Sequence, residues 1–137
     1  MRLKLLENKQ LSTTEFRSMI EKFLEIVKEV LEIDSLPRIK FRTEFIKTDN
    51  QPSFGMYVVG QQILYVSLIN RHPIDILRTM AHELVHYKQD INDELDDLSG
   101  ETGSDHENEA NYKAGIIMRL FSQRYPQYML LEPIQMK

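Results

Sequence analysis

The chain contains no cysteine and no tryptophan. Without thiols there are no disulfides and no thiolate metal site, so any metal ion bound here would need histidine and carboxylate ligands. Absence of cysteine also fits an intracellular, cytoplasmic protein. No apolar run approaches the ~20 residues of a membrane span. The opening Met1-Arg2-Leu3-Lys4-Leu5-Leu6 is followed at once by Glu7-Asn8-Lys9-Gln10, so no signal-peptide core is expected. A basic excess is lacking as well: 17 Lys and Arg face 21 Asp and Glu, a net charge of −4. Neither nucleic acid nor an anionic membrane is therefore expected as a partner. What remains, 42% hydrophobic and 28% charged residues over 137 positions, suits a single soluble domain spanning 1–137 with a real core.

Periodicity divides the chain into helices and strands. Ser12-Thr13-Thr14-Glu15 reads as a capping box opening a helix that runs to about Glu32. Its stripe of Phe16, Met19, Ile20, Phe23, Val27, Val30 and Leu31 is core patterning. After Ser35-Leu36-Pro37, alternation of Ile39, Phe41, Thr43 and Phe45 with charged residues predicts a half-buried strand. Residues 48–53 read as a loop by their turn residues. Phe54 to Val59 and Ile63 to Leu68, joined by Gly60-Gln61-Gln62, read as a hairpin. The expected fold is α+β. A small antiparallel sheet of about three strands would lie between the first helix and a second that starts at Pro73 and ends near Asp90. A last helix follows from Ser104 or Asp105 to about Gln123.

The second helix carries His82-Glu83-Leu84-Val85-His86, an HExxH pattern. Histidines four apart stack on one face of a helix, where two imidazole nitrogens can meet one Zn²⁺ at roughly 2.0–2.1 Å. Glu83 lies about 100° round from His82, placed to hold a water instead of ligating. The apolar stripe of Leu77, Ala81, Leu84 and Ile91 runs beside the histidines, so the helix buries one side and offers His82 and His86 to a cleft. The bland alternative is a surface helix with two solvated histidines.

A catalytic zinc needs a third protein ligand. An HExxHxxGxxH continuation is absent, because Gln89 and Asn92 stand at the corresponding places. The candidates are Glu107, Glu109 and His106 at the head of the last helix. Taking Glu107 as zero, Ala110, Asn111, Ala114, Met118 and Phe121 fall within about 60° of it, while Glu109 lies about 200° and His106 about 100° away. Glu107 is favoured because it heads that inward stripe, and Asn111 one turn on becomes the candidate to orient a liganding histidine. The acidic stretch from Asp90 to Asp105 reads as a solvated loop and one rim of the cleft, where it would disfavour acidic substrates. Its residue order does not fit an EF-hand calcium loop.

HELVH followed by Glu107-Asn108-Glu109-Ala110-Asn111 resembles the gluzincins, metallopeptidases with HExxH and a glutamate from a later helix. The ExxAN spelling with Ala114 is most similar to ImmA/IrrE-type peptidases, and short phage HELVH proteins look similar too. The resemblance covers about residues 54 to 121. It implies a zincin-like fold, Zn²⁺ on His82, His86 and Glu107, Glu83 as general base, and a protein or peptide substrate. Many gluzincins carry aspartate where this chain has Asn111. Oxyanion or substrate contacts are sought in Tyr112, His72 and Arg71, though His72 just before a helix also suits a cap. The substrate backbone is expected along a sheet edge at Ile63 to Leu68. Two rival functions stand beside the peptidase. One is a zinc-stabilised binding or structural protein without turnover; the other is a protease kept latent by the Tyr125 to Lys137 tail.

Overall fold

Three α-helices, five strands and one 3₁₀ helix are formed by residues 11–48, 51–95 and 104–134, which the computed structural model describes. Helix α1 (Thr13–Leu31) begins where the capping box predicts: Ser12 Oγ accepts from the Glu15 amide and Glu15 accepts from the Ser12 amide. It buries Met19, Phe23, Ile26, Val27 and Leu31. Helix α2 (Pro73–Ile91) has Pro73 in its first turn, where a missing N–H costs nothing. Helix α3 (Asp105–Arg124) is capped by Ser104, whose hydroxyl accepts from the Glu107 amide at 3.1 Å.

The strands are β1 (Arg38–Arg42), β2 (Ile46–Thr48), β3 (Gln51–Ser53), β4 (Gly55–Val58) and β5 (Ile63–Ser67). The expected hairpin is present as β4–β5, turning through Gly60 at φ +83°. The expected antiparallel sheet is not: its order is β1-β5-β4, and β1 runs parallel to β5, from Arg38↔Ile63 to Arg42↔Ser67. An alternating pattern reports which residues share a face but not the direction of the chain. The intervening residues 43–62 are long enough for a parallel crossover. The same order moves the free edge. Ile63–Ser67 is the central strand, and β4 is the edge facing α2. Residues 48–53 are also not simply a loop, because Ile46–Thr48 pairs antiparallel with Gln51–Ser53. Positions 96–103, the middle of the acidic stretch, lie outside the described residues.

Nor does the sheet lie between two helices. Register puts Tyr57, Leu64 and Val66 on one face with Ile39 and Phe41. Phe41 meets Phe16 of α1 edge-on at 5.4 Å, and α2 packs on β4 and β5, so α1 and α2 cover the same face. Helix α3 packs mainly on α2, closing a core of Leu77, Met80, Leu84, Ile117 and Phe121. The 3₁₀ helix Pro126–Leu130 returns the tail to this core, stacking Tyr128 on Phe121 at 5.5 Å. No described helix is long and apolar enough to cross a membrane.

Two ties fix α2 against β4. At its C-terminal end Asp90 accepts from the Tyr57 hydroxyl at 2.6 Å and from the Gly60 amide at 2.8 Å, so this residue of the acidic stretch is engaged. Near its middle, Gly55 allows the helix to approach. A Cβ at Gly55 would stand 2.4 Å from Thr79 Cγ2 and 3.4 Å from Glu83 Cγ. Gly55→Ala should therefore cost about 1–3 kcal/mol of stability through overpacking, read as a lowered urea midpoint. An unchanged midpoint would show that the helix can slide away from the sheet without cost.

Candidate metal centre

The four-residue spacing in α2 brings His82 and His86 onto one face, with ring centroids 4.9 Å apart. Glu107 enters from the first turn of α3, where the Ser104 cap fixes its backbone. Glu107 Oε1 lies 3.1 Å from His82 Nε2 and 2.5 Å from His86 Nε2, and the two Nε2 atoms are 3.3 Å apart. All three side chains are mostly buried, 13% to 22% exposed. Among the described residues this is the group whose donor atoms converge closely enough to share a metal ion.

Hydrogen bonding fixes what those atoms can be. Gln89, 1% exposed, gives its amide Nε2 to the His106 carbonyl at 3.0 Å and to Glu109 Oε1 at 2.7 Å. Both are acceptors only, so Gln89 Oε1 is left to face His86 Nδ1 at 2.8 Å. His86 Nδ1 must then carry a proton and donate it. In the neutral imidazole Nε2 is left as a lone pair aimed at a carboxylate oxygen. Such a meeting of lone pairs is repulsive unless a proton, which would make it a His86–Glu107 ion pair, or a metal ion lies between them. Ligands on tetrahedral zinc sit roughly 3.3–3.4 Å apart, given bonds of ~2.0–2.1 Å. The His82–His86 and His82–Glu107 separations suit that geometry as they stand, and the shorter His86–Glu107 separation calls for a small opening. Two imidazoles and a carboxylate are a donor set for zinc.

The other candidates fall elsewhere. Glu109 joins Gln89 and Lys113, at 3.1 Å from the latter, and its hydrogen bond from Gln89 holds its carboxyl below the ordinary glutamate value. His106 contributes its main-chain carbonyl to Gln89, not a ring nitrogen to the triad. Asn111 is exposed, so its expected role passes to Gln89. The buried residues of α3 are Ala110, Ala114, Ile117, Met118 and Phe121. At 100° per residue their arc is centred roughly 40° to the Ala110 side of Glu107, which leaves Asn111 outside it. Tyr112 is 70% exposed. His72 is the N-cap of α2, its Nδ1 accepting from the Ile74 amide at 3.0 Å. Gln89 had a signal in the sequence, lying one turn beyond His86 on the same face.

Glu83 faces a cleft of about 330 Å³ lined also by His82, Thr79, Arg71, Gly55 and Phe54. Burial pushes its carboxyl above the ordinary glutamate value and nearby Glu107 pushes the same way; His82, His86 and the hydrogen-bonding Tyr57 amide oppose them. Arg71, on the same cleft wall, donates Nη2 to the Asp75 carbonyl at 3.0 Å and to Thr79 Oγ1 at 2.8 Å. No known protein family, curated protein or solved structure matches the chain. The chemistry is therefore read from the side chains alone.

Loss of a partner that orients a liganding histidine typically costs ten- to a hundredfold in metal affinity. Gln89→Leu should weaken zinc binding by about that factor in a chelator competition, with Asn111→Ala unchanged. The reverse ranking would return the orienting role to Asn111.

Proposed function

We propose that the chain is a zinc-dependent metallopeptidase of the gluzincin type, with a zincin-like arrangement of sheet and helices and a peptide or protein substrate. The observation that carries this reading is the pairing of two features. Three donors from α2 and α3 converge on one point, and Glu83, in the turn between the two histidines, faces the adjoining cleft. His82 Nε2, His86 Nε2 and Glu107 Oε1 would hold the ion. When bound, zinc supplies Lewis-acid activation of water and of the scissile carbonyl.

Glu83 is the proton carrier. In its ionised form a carboxylate oxygen takes a proton from the attacking water and returns it to the departing amide nitrogen. Burial suits the carboxyl to this, because raising its proton affinity strengthens its ionised form as a base. The Tyr57 amide restrains the carboxylate where it must act. Gln89 keeps His86 in the tautomer whose Nε2 can ligate.

Purified protein should contain about one zinc per chain, lost in Glu107→Ala and retained in Glu109→Ala and Glu83→Gln. Glu83→Gln should lower peptide cleavage on a mixed library by at least about a thousandfold, the combined scale of a lost base and its electrostatics. Metal retained in Glu107→Ala would refute the triad, and wild-type levels of cleavage by Glu83→Gln would refute the mechanism.

The pH dependence has a definite sign. Glu83 works deprotonated and its pKa is raised, so kcat/KM should climb through an acid limb lying above the ~4.3 of a free glutamate. A limb at or below that value would assign the titration to another group.

A further inference from the structure

We propose that Arg71 receives a carboxylate of the substrate in the cleft beside His82 and Glu83, making it a specificity-determining residue. This inference rests on the peptidase reading and names the substrate class of the same site.

Arg71 is a half-buried cation whose hydrogen bonds are all to neutral atoms. Its Nη2 donates to a main-chain carbonyl and a threonine hydroxyl. Its Nη1 is buried and has no partner among the described residues. Asp75 favours its charge only through space: no ion pair joins them, and the Asp75 carboxylate is held by Arg78 at 2.7 Å. A guanidinium removed from water normally recovers the cost through a carboxylate, often a bidentate one. A purely structural role, pinning the first turns of α2, would use Nη2 alone and leave Nη1 unexplained.

The position suits a ligand. Arg71 lines the cleft that also contains His82 and Glu83, while Arg78 and Asp75 line it as an ion pair with each other. The residue is held from two sides. Its carbonyl accepts from the Ile134 amide at 2.6 Å, and its guanidinium stacks over the Phe54 ring, 4.0 Å from the centroid. Phe54 is itself 42% exposed, so a ring turned towards solvent would open the guanidinium to an incoming anion. The ligand chemistry is thus a carboxylate at one side of the scissile bond, supplied by an acidic side chain or by the free C-terminus of a short peptide.

The test uses the zinc-loaded full chain and matched peptide hydroxamates, which share one metal anchor and differ in a single group. One pair carries a C-terminal carboxylate or its amide, the other a glutamate or glutamine side chain, and affinities are measured by calorimetry. In wild type the charged member of one pair should bind about ten- to a hundredfold tighter, the range of a hydrogen bond to a charged group. The pair that shows the gap identifies the source of the carboxylate. Arg71→Gln should abolish the gap while leaving the neutral members unchanged, and Arg71→Lys should keep part of it; zinc content and melting temperature report whether each variant is folded. Equal affinities within both pairs in wild type, or a gap that survives Arg71→Gln, would overturn the inference and leave the peptidase standing. Failure of every hydroxamate to bind the zinc-loaded protein would instead remove the peptidase reading, and this one with it.

Discussion

One hydrogen bond decides the character of the site: His86 Nδ1 to Gln89 Oε1 at 2.8 Å. Because Gln89 has committed its amide hydrogens to the His106 carbonyl and to Glu109, His86 has no choice of tautomer. In the neutral ring its Nε2 lone pair is thereby turned on Glu107 and His82. Without a proton or a metal ion between them these atoms repel, and the rest of the fold must hold them together. That restraint is the packing of α2 on α3, where Ala81, Ala110 and Ala114 are small enough for close approach and Leu84, Ile117 and Phe121 fill the contact. Hydrophobic burial between two helices thus supports a cluster of donors that favours a cation between them.

The sheet performs the complementary task for Glu83. In the β4–β5 ladder, Ser67 donates to Phe54, so the hydrogen-bonded pairs alternate and the Tyr57 amide points away from β5 to the open edge. An edge amide facing the protein interior needs an acceptor, and the Glu83 carboxylate provides it. Tyr57 therefore acts twice on α2, through its amide on Glu83 and through its hydroxyl on Asp90. The glycine at position 55 is what lets the helix come near enough for either contact. Donors held by α3 and a carboxylate held by β4 meet on α2, which explains why the HELVH helix is central to both layers.

These dependencies bear on how far the sequence alone could be read. The helix starts were legible because Ser12, Pro73 and Ser104 are local signals, each acting within one turn. His82, His86 and Glu107 were legible for a related reason: periodicity on a helix is a statement about faces, the four-residue spacing puts both histidines on one face, and Glu107 heads the inward stripe of its own helix. Strand direction was not legible, because Ile39 and Phe41 give the same alternation beside a parallel or an antiparallel neighbour. Asn111 was misplaced by an arc of a few tens of degrees, an error inherent in assuming that a ligand at the head of a stripe marks its centre. Gln89 was passed over as the residue that breaks a longer motif, although a glutamine at the turn after a liganding histidine has the chemistry to hold it. Arg71 stood with Tyr112 and His72 as a candidate oxyanion or substrate contact, with nothing in the sequence to single it out. Its unpaired Nη1 is a property of three-dimensional surroundings.

A structural zinc site closes on four protein ligands, whereas a catalytic one keeps a position open. Among the described residues the converging group here has three members, and the residue beside it is a carboxylate with raised proton affinity that faces a cleft. A site built only for stability has no use for either feature. It would gain from a fourth donor, and it would be better served by an apolar side chain at position 83 than by a buried acid that opposes its own ionisation. The same holds for Arg71 in that cleft, which has no ion pair among the described residues and feels Asp75 only at a distance. Two ionisable groups held at an energetic disadvantage in one cleft favour the proposed turnover over a merely stabilising metal.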